Sequence, residues 1–304
     1  MGLFQPSART RQRRETGTAL LLLLPLFVLV VGLIGYPFYR AVWLSFTDKL
    51  VGYPERWVGL RNYIYLVNDD TFRTVVRNSL VFTVASVALK ILTGIAMALV
   101  LNATWRWRNF FRGLLLLPWI TSTVIIALTW RWMFDAFPGR GFFNSVLLDA
   151  GLLSRPIAFM ATPEGAMAAV VIANWWRGFP FFGVSYLAGM QSIPGELYEA
   201  AEMDGANAWQ KFRVVTVTFL RPAMLPYAIY GFVITFNLFF LPFFMTGGEP
   251  FGRTEILVTQ AYRLVNERQL YGVAAAFCVY LFFLLLVVTL ITNRLAKATK
   301  SYAE

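Results

Sequence analysis

The chain has 304 residues, of which 58% are hydrophobic and 17% aromatic, and its mean hydropathy is +0.59. Soluble domains rarely carry that much apolar surface, so the composition indicates an all-α, polytopic integral membrane protein. A net charge of +11 would point a soluble protein toward nucleic acid, but here the cations flank apolar runs. Arg9, Arg11, Arg13 and Arg14 precede the first run, Arg106, Arg108 and Arg112 occupy a short loop, and Arg294, Lys297 and Lys300 follow the last. That is the pattern of cytoplasmic anchors, and nucleic acid is not the partner it implies. Cys278 is the sole cysteine and histidine is absent, which excludes disulfide frameworks and Cys/His metal sites.

Six apolar segments reach the roughly 20 residues that a hydrocarbon core requires. They run from about Thr18 to Ser45, Thr74 to Leu101, Gly113 to Phe134, Ala166 to Ala188, Ala223 to Met245 and Val273 to Thr292. The first follows a basic tail, residues 1–17, but is long for a signal peptide and shows no small-residue cleavage site, so it reads as a retained signal anchor. An even number of transmembrane helices places both termini on one side. The arginines of the tail and of residues 102–112 make that side the cytoplasm, giving an N-in/C-in topology. Residues 18–304 then form a single transmembrane domain. Residues 46–73, 135–165 and 246–272 lie outside and suit turns and short surface helices.

All sixteen acidic residues fall outside these spans or at their edges. Ion-coupled carriers and membrane hydrolases usually need carboxylates, histidines or a nucleophile within the membrane, and this chain offers no such set. Three of the cations in or near the spans bear on function, and each intramembrane charge costs about 2.5–3.5 kcal/mol on insertion scales. Lys90, near the middle of span two, either satisfies acceptors at a helix interface or lines a pathway. Arg131, between Trp130 and Trp132, reads as a snorkelling anchor.

Arg177 sits in the run Asn174-Trp175-Trp176-Arg177-Gly178-Phe179-Pro180-Phe181. Arg177 and Phe181 share a face at i, i+4, and Gly178 and Pro180 loosen the helix. A donor fork beside an aromatic plate suits a polyhydroxylated ligand, and a proline kink with packed aromatics accounts for the same residues. Span five repeats the chemistry with Gly231, Thr235, Phe236 and Asn237.

The long polar interruption between spans four and five, Ser192 to Pro222 within a loop of about residues 189–222, has helical character. Pro194 and Gly195 open a short helix, and Glu196, Glu199 and Glu202 recur at three-residue spacing. Gly205 supplies a left-handed stop before a second helix carrying Trp209, Phe212 and Val215. The residues alone describe either a docking elbow or an ordinary amphipathic interfacial helix.

The run Glu199-Ala200-Ala201, Asp204-Gly205-Ala206, Phe212 and Leu220-Arg221-Pro222 resembles the EAA motif of binding-protein-dependent ABC transporter permeases, in their MetI-like sugar branch of the maltose and trehalose type. The resemblance implies that Glu199, Ala200, Ala201, Asp204, Gly205 and Ala206 form a coupling helix seated in a cytoplasmic ATPase. It also implies a sugar site midway through the membrane at Arg177, Gly178 and Phe181 and at Gly231, Thr235 and Leu238, to which Asn237 is added by its position. It implies a second homologous permease, two ABC ATPase subunits carrying ATP and Mg²⁺, and an extracytoplasmic solute-binding protein or lipoprotein, all at a bacterial or archaeal inner membrane. The chain itself carries no G-x-x-x-x-G-K-[ST] stretch, binds no cofactor and is not an enzyme on this reading. Val217-Thr218 stand where the family usually has Leu-Pro, which should leave the second helix straighter. A sugar phosphate, with Arg177 as counter-charge, is the alternative substrate. A membrane enzyme acting on lipid-linked sugar and a non-transporting scaffold are the rival functions.

Overall fold

A computed structural model of the chain describes residues 8–137 and 141–300; the side chains of residues 8–15, 17, 293 and 295–300 fall outside that description. The anchors expected at Arg9, Arg11, Arg13, Arg14, Lys297 and Lys300 therefore lie outside the described side chains. Every regular element among the described residues is helical, with two isolated β-bridges, Thr47 to Trp57 and Leu50 to Leu270.

Helix α1 (Ala8–Val30) passes through a π turn (Val31–Gly35) into α2 (Tyr36–Ser45). The apolar part of this rod, Thr18–Ser45, is among the four helices long and apolar enough to cross a membrane, and Leu20 to Leu24 stand exposed along it, a surface suited to lipid. After α3 (Arg61–Asn68), Asp69 caps α4 (Asp70–Asn102) by accepting the Thr71 N–H at 2.9 Å. The chain continues as α5 (Arg108–Ile120), α6 (Thr123–Met133), α7 (Phe142–Asp149) and α8 (Pro163–Gln191), the last capped by Thr162. Then follow α9 (Gly195–Met203), α10 (Ala208–Lys211), a π turn (Phe212–Thr216), α11 (Val217–Phe236), α12 (Phe240–Met245), α13 (Leu257–Asn266) and α14 (Tyr271–Lys300).

Three of the expected spans take a different form. The segment expected to cross from Gly113 to Phe134 is broken, with α5 and α6 meeting at 92°. Pro118 removes an N–H from the last turn of α5, Thr121 turns its hydroxyl back to the Leu117 carbonyl at 2.7 Å, and Thr121 leaves helical geometry for an extended one. The expected span from Ala223 to Met245 is shifted: the membrane-length helix is Ala208–Phe236, running on through its π turn, and the chain breaks before α12. Helix α8 spans about 43 Å by its 29 residues but is not among the four apolar candidates, because Asn174, Arg177 and the glycines interrupt it. Its neighbours explain this, since Ala166, Ala169, Val170, Ala173, Tyr186 and Leu187 are each at most 2% exposed. An enclosed helix need not be uniformly apolar.

The centre of the fold is the pair α4 and α8, drawn together by glycines. A Cβ on Gly94 would come within 2.7 Å of the Phe182 Cβ, one on Gly183 would collide with Met97, and one on Gly178 would collide with the Lys90 side chain. In lipid, where burial of apolar surface drives helix association weakly, such close approach supplies the dispersion contacts that hold helices together. Val87, Met97 and Leu101 interlock with Phe182, Tyr186, Leu187, Met190 and Leu220 on one side of the pair. Toward the other end, Phe82 joins Trp130 of α6, Val170 of α8 and Leu241 of α12.

The connections sort to two ends. The segments after α2 and before α14 are tied together by Asn62 donating to the Ser45 and Thr47 carbonyls (2.9 and 2.8 Å) and by Gly272 N–H donating to Lys49 (3.1 Å). Asn78 donates to the Arg253 carbonyl at 2.7 Å, and Arg131 reaches the Phe244 carbonyl at 3.4 Å. Near them Glu255, 4% exposed, pairs with Arg263 at 3.2 Å, although burial outweighs the guanidinium and holds its carboxyl above the usual range. At the opposite end, Trp105 packs with the cluster around Met190 and Leu220, beside the exit of α8 into α9.

Replacing Gly183 with Leu should drive α4 and α8 apart and lower stability by about 1–3 kcal/mol through overpacking, whereas Gly113→Leu, with open space around it, should be tolerated. Thermal midpoints in detergent compare them; equal midpoints would refute the close-packing account.

Candidate functional site

Two groups of residues stand apart from the packed helices. The first is the elbow between α8 and α11. Helix α9 begins after Pro194 and ends on Gly205 at φ +78, where the Gly205 N–H donates to Glu202 at 3.0 Å and the Ala206 N–H to Ala201 at 2.9 Å. This is a complete Schellman stop. Two residues later Asn207 and Gln210 form a capping box, each side chain accepting the other's backbone N–H (3.0 and 2.8 Å), and start α10. Both helix ends are thus satisfied within the turn itself.

Helix α9 is held to the π turn before α11 by a hydrogen bond between the Tyr198 and Thr216 hydroxyls (3.0 Å) and to α10 by Lys211, which donates to Glu202 at 2.6 Å and holds its carboxyl below the usual range. Glu199, Ala200, Asp204 and Gly205 are exposed, Ala201 and Ala206 half-buried, and Met203 and Trp209 protrude at 89% and 68%. Acids, small residues and two large apolar side chains are therefore exposed along the elbow.

The second group lies inside the bundle. Lys90, 4% exposed on α4, donates to Asn174 Oδ1 of α8 and to Thr235 Oγ1 of α11, both at 3.1 Å. Gly178 makes this possible, since any side chain there would occupy the space of the lysine stem. Arg177 is adjacent to that glycine. Its Nε is buried without a hydrogen-bond partner, as are Asn174 Nδ2 and, one turn before Lys90, Ser86 Oγ. Four residues beyond Arg177, Phe181 lies in an aromatic group. It stacks on Trp119 (centroids 5.9 Å apart) and meets Tyr230 at 5.6 Å and Tyr227 at 5.9 Å, with Trp119 and Tyr230 about half exposed.

The residues expected to line an interior site thus divide. Arg177, Gly178 and Thr235 meet around Lys90, and Phe181 is next to them. Gly231 faces the Phe182 ring and allows α11 to approach α8. Asn237 is exposed and donates to the Val233 carbonyl at 2.9 Å, closing its own helix end, and Leu238 packs on the cluster around Phe82 and Leu241. Sequence reasoning left Lys90 between two roles and passed over Asn174, Trp119, Tyr227 and Tyr230. The available signal was the intramembrane charge itself, which needs a polar partner within reach.

Removing one acceptor from the buried ammonium should hurt more than removing the charge. Asn174→Leu should cost about 1.5–3 kcal/mol, and Lys90→Met, which leaves two acceptors unpaired but removes the buried charge, should cost less, about 1 kcal/mol. Thermal midpoints of the two variants decide it; a larger loss for Lys90→Met would contradict this assignment.

Residues 90–301 match the family model described as binding-protein-dependent transport system inner membrane component. The trehalose/maltose transport system permease protein MalF of Thermococcus litoralis is 33% identical across 91% of this chain and 93% of its own. A bacterial ABC transporter involved in the import of the acidic polysaccharide alginate contains a chain that superposes with TM-score 0.80 at 22% identity, covering 95% of this chain and 98% of that one. The same kind of transporter in complex with an alginate pentasaccharide-bound periplasmic protein gives TM-score 0.80 at 22% identity, over 97% and 99% of the two chains. These three likenesses each cover at least nine-tenths of the chain. The chain belongs to the family of binding-protein-dependent transport system inner membrane components: it is a multi-pass permease subunit of an ABC transporter, a transport component rather than an enzyme.

Proposed function

We propose that this chain is one of two homologous permease subunits in an ATP-driven importer of a di- or oligosaccharide, working in a bacterial or archaeal inner membrane. An extracytoplasmic binding protein or lipoprotein delivers the sugar, and two ABC ATPase subunits, which carry the ATP and Mg²⁺, supply the energy. With the bent pair α5 and α6 counted as the third crossing and α8 as the fourth, the topology is six helices with both termini in the cytoplasm. The elbow then faces the ATPases. Their closure on ATP would push the surface around Glu199, Ala200, Ala201, Asp204, Gly205 and Ala206, and the helices rigidly joined to it would rock and alternately expose the interior site. Substrate contacts are assigned to Arg177, Gly178, Phe181, Gly231, Thr235, Asn237 and Leu238, of which Arg177 and Phe181 offer the donor fork and the ring face that a sugar needs.

The observation that carries this reading is the elbow's construction. Its ends are closed by their own hydrogen bonds while its acids and Met203 and Trp209 stay exposed, a rigid surface prepared for a partner. The trehalose/maltose and alginate relatives support a saccharide cargo.

Gly205→Leu should force a side chain onto a left-handed residue, at about 1–2 kcal/mol of strain, and alter the elbow. In proteoliposomes holding the complete transporter, binding-protein docking should persist while ATP hydrolysis no longer drives uptake. Uptake at the unmodified rate would count against the coupling role.

A further inference from the structure

The interior cluster is unbalanced. Its groups are the Lys90 ammonium, the Arg177 guanidinium and the Asn174 amide, and the acceptors facing Lys90 are neutral: Asn174 Oδ1 and Thr235 Oγ1. Helices α5 and α11 contribute no acid, because neither Arg108–Ile120 nor Val217–Phe236 contains Asp or Glu. The acids of α4 and α8 lie at their far ends. Asp70 is 20 residues from Lys90, about 30 Å along the helix, and Glu164 is 13 residues from Arg177, about 20 Å. A guanidinium stays charged in such a place. The guanidinium Nε and the Asn174 Nδ2 are moreover buried donors without acceptors, which is costly unless something completes them.

We infer that the transported saccharide carries an anionic group, a carboxylate, sulfonate or phosphate ester, and that Arg177, backed by Lys90 and Asn174, is the counter-charge that group meets inside the membrane. Arg177 is the member of the set with partial exposure, and its planar fork matches an oxyanion. Lys90 is too buried to touch cargo in this conformation, so it contributes field rather than contact. The rings of Trp119, Phe181 and Tyr230, beginning one turn along α8, would cover the apolar face of the attached sugar. Retention stays weak enough for release because a bound anion faces one bidentate partner instead of a closed cage.

This inference rests on the importer reading above, and its test separates the two. The complete transporter, with its binding protein and ATPases in proteoliposomes, is challenged with two saccharide sets, and stimulated ATP hydrolysis and uptake are recorded. The anionic set comprises oligogalacturonate, alginate oligosaccharide, a sulfonated hexose and a hexose phosphate; the neutral set comprises methyl-esterified oligogalacturonate, maltose, trehalose and a galactooligosaccharide. The expected result is stimulation by an anionic member at least ten-fold above its neutral counterpart. Arg177→Gln should then lower uptake of that member at least ten-fold, and Arg177→Lys should restore part of it. Should Arg177→Gln fail to assemble, the comparison with the unmodified protein and the lysine variant decides. Stimulation by the neutral set alone overturns the anionic assignment and leaves the importer standing. A complex that no saccharide stimulates, or one in which no ATPase is retained, overturns the importer reading and this inference with it.

Discussion

The structure depends on one constraint: α4 and α8 must lie close enough for Lys90 to reach across to both α8 and α11. The glycines make that distance possible, and the lysine makes it consequential. An ammonium in the interior of a membrane bundle is tolerated only when side chains of its neighbours accept its hydrogens, and Asn174 and Thr235 do so from two different helices. One buried group therefore ties three helices into a unit. A unit so tied would move as a rigid body, the kind of element that the proposed ATPases would rock.

The placement of the two candidate regions follows from this unit. Helix α8 leaves the bundle at Gln191 and within three residues begins the elbow, and the elbow returns through a π turn into α11. Both helices that flank the elbow are thus the ones joined through Lys90. On the proposed mechanism, a push on α9 would be delivered through short connections to the ends of the two helices that carry Arg177, Phe181 and Thr235. The bond between Tyr198 and Thr216 braces α9 against the π turn that leads into α11, and the pair Glu202 and Lys211 braces it against α10. The latter pair is exposed and screened by salt, so the shape of the turn rests chiefly on its backbone hydrogen bonds.

Much of this was legible from local signals. A glycine after an acidic helical turn marked the stop at Gly205, and its φ of +78 is what that residue was expected to provide. Continuous apolar runs located the helices that include Thr18–Ser45, Asp70–Asn102 and Tyr271–Thr292. The break at Thr121 was not legible, because hydrophobicity persists across it while the backbone turns away under Pro118 and the Thr121 hydroxyl. The end of α11 at Phe236 was hidden for the same reason, since residues 238–245 are as apolar as the helix before them. The partners of Lys90 lie 84 and 145 residues away in sequence, and no periodicity reports contacts of that range. Asn207 and Gln210, a three-residue spacing with a known meaning, could have been read and were passed over.

The central claim is that the elbow is the joint at which an ATPase grips this chain. With Cys278 replaced by Ala, a single cysteine at Glu199 provides a site for a short bifunctional crosslinker in membranes containing the complete transporter. The account predicts a crosslinked product joining this chain to the ATPase subunit, formed with reagent that reaches the cytoplasmic face and changing in yield when ATP is bound. A cysteine that reacts only from the external face, or that never joins an ATPase, would contradict it.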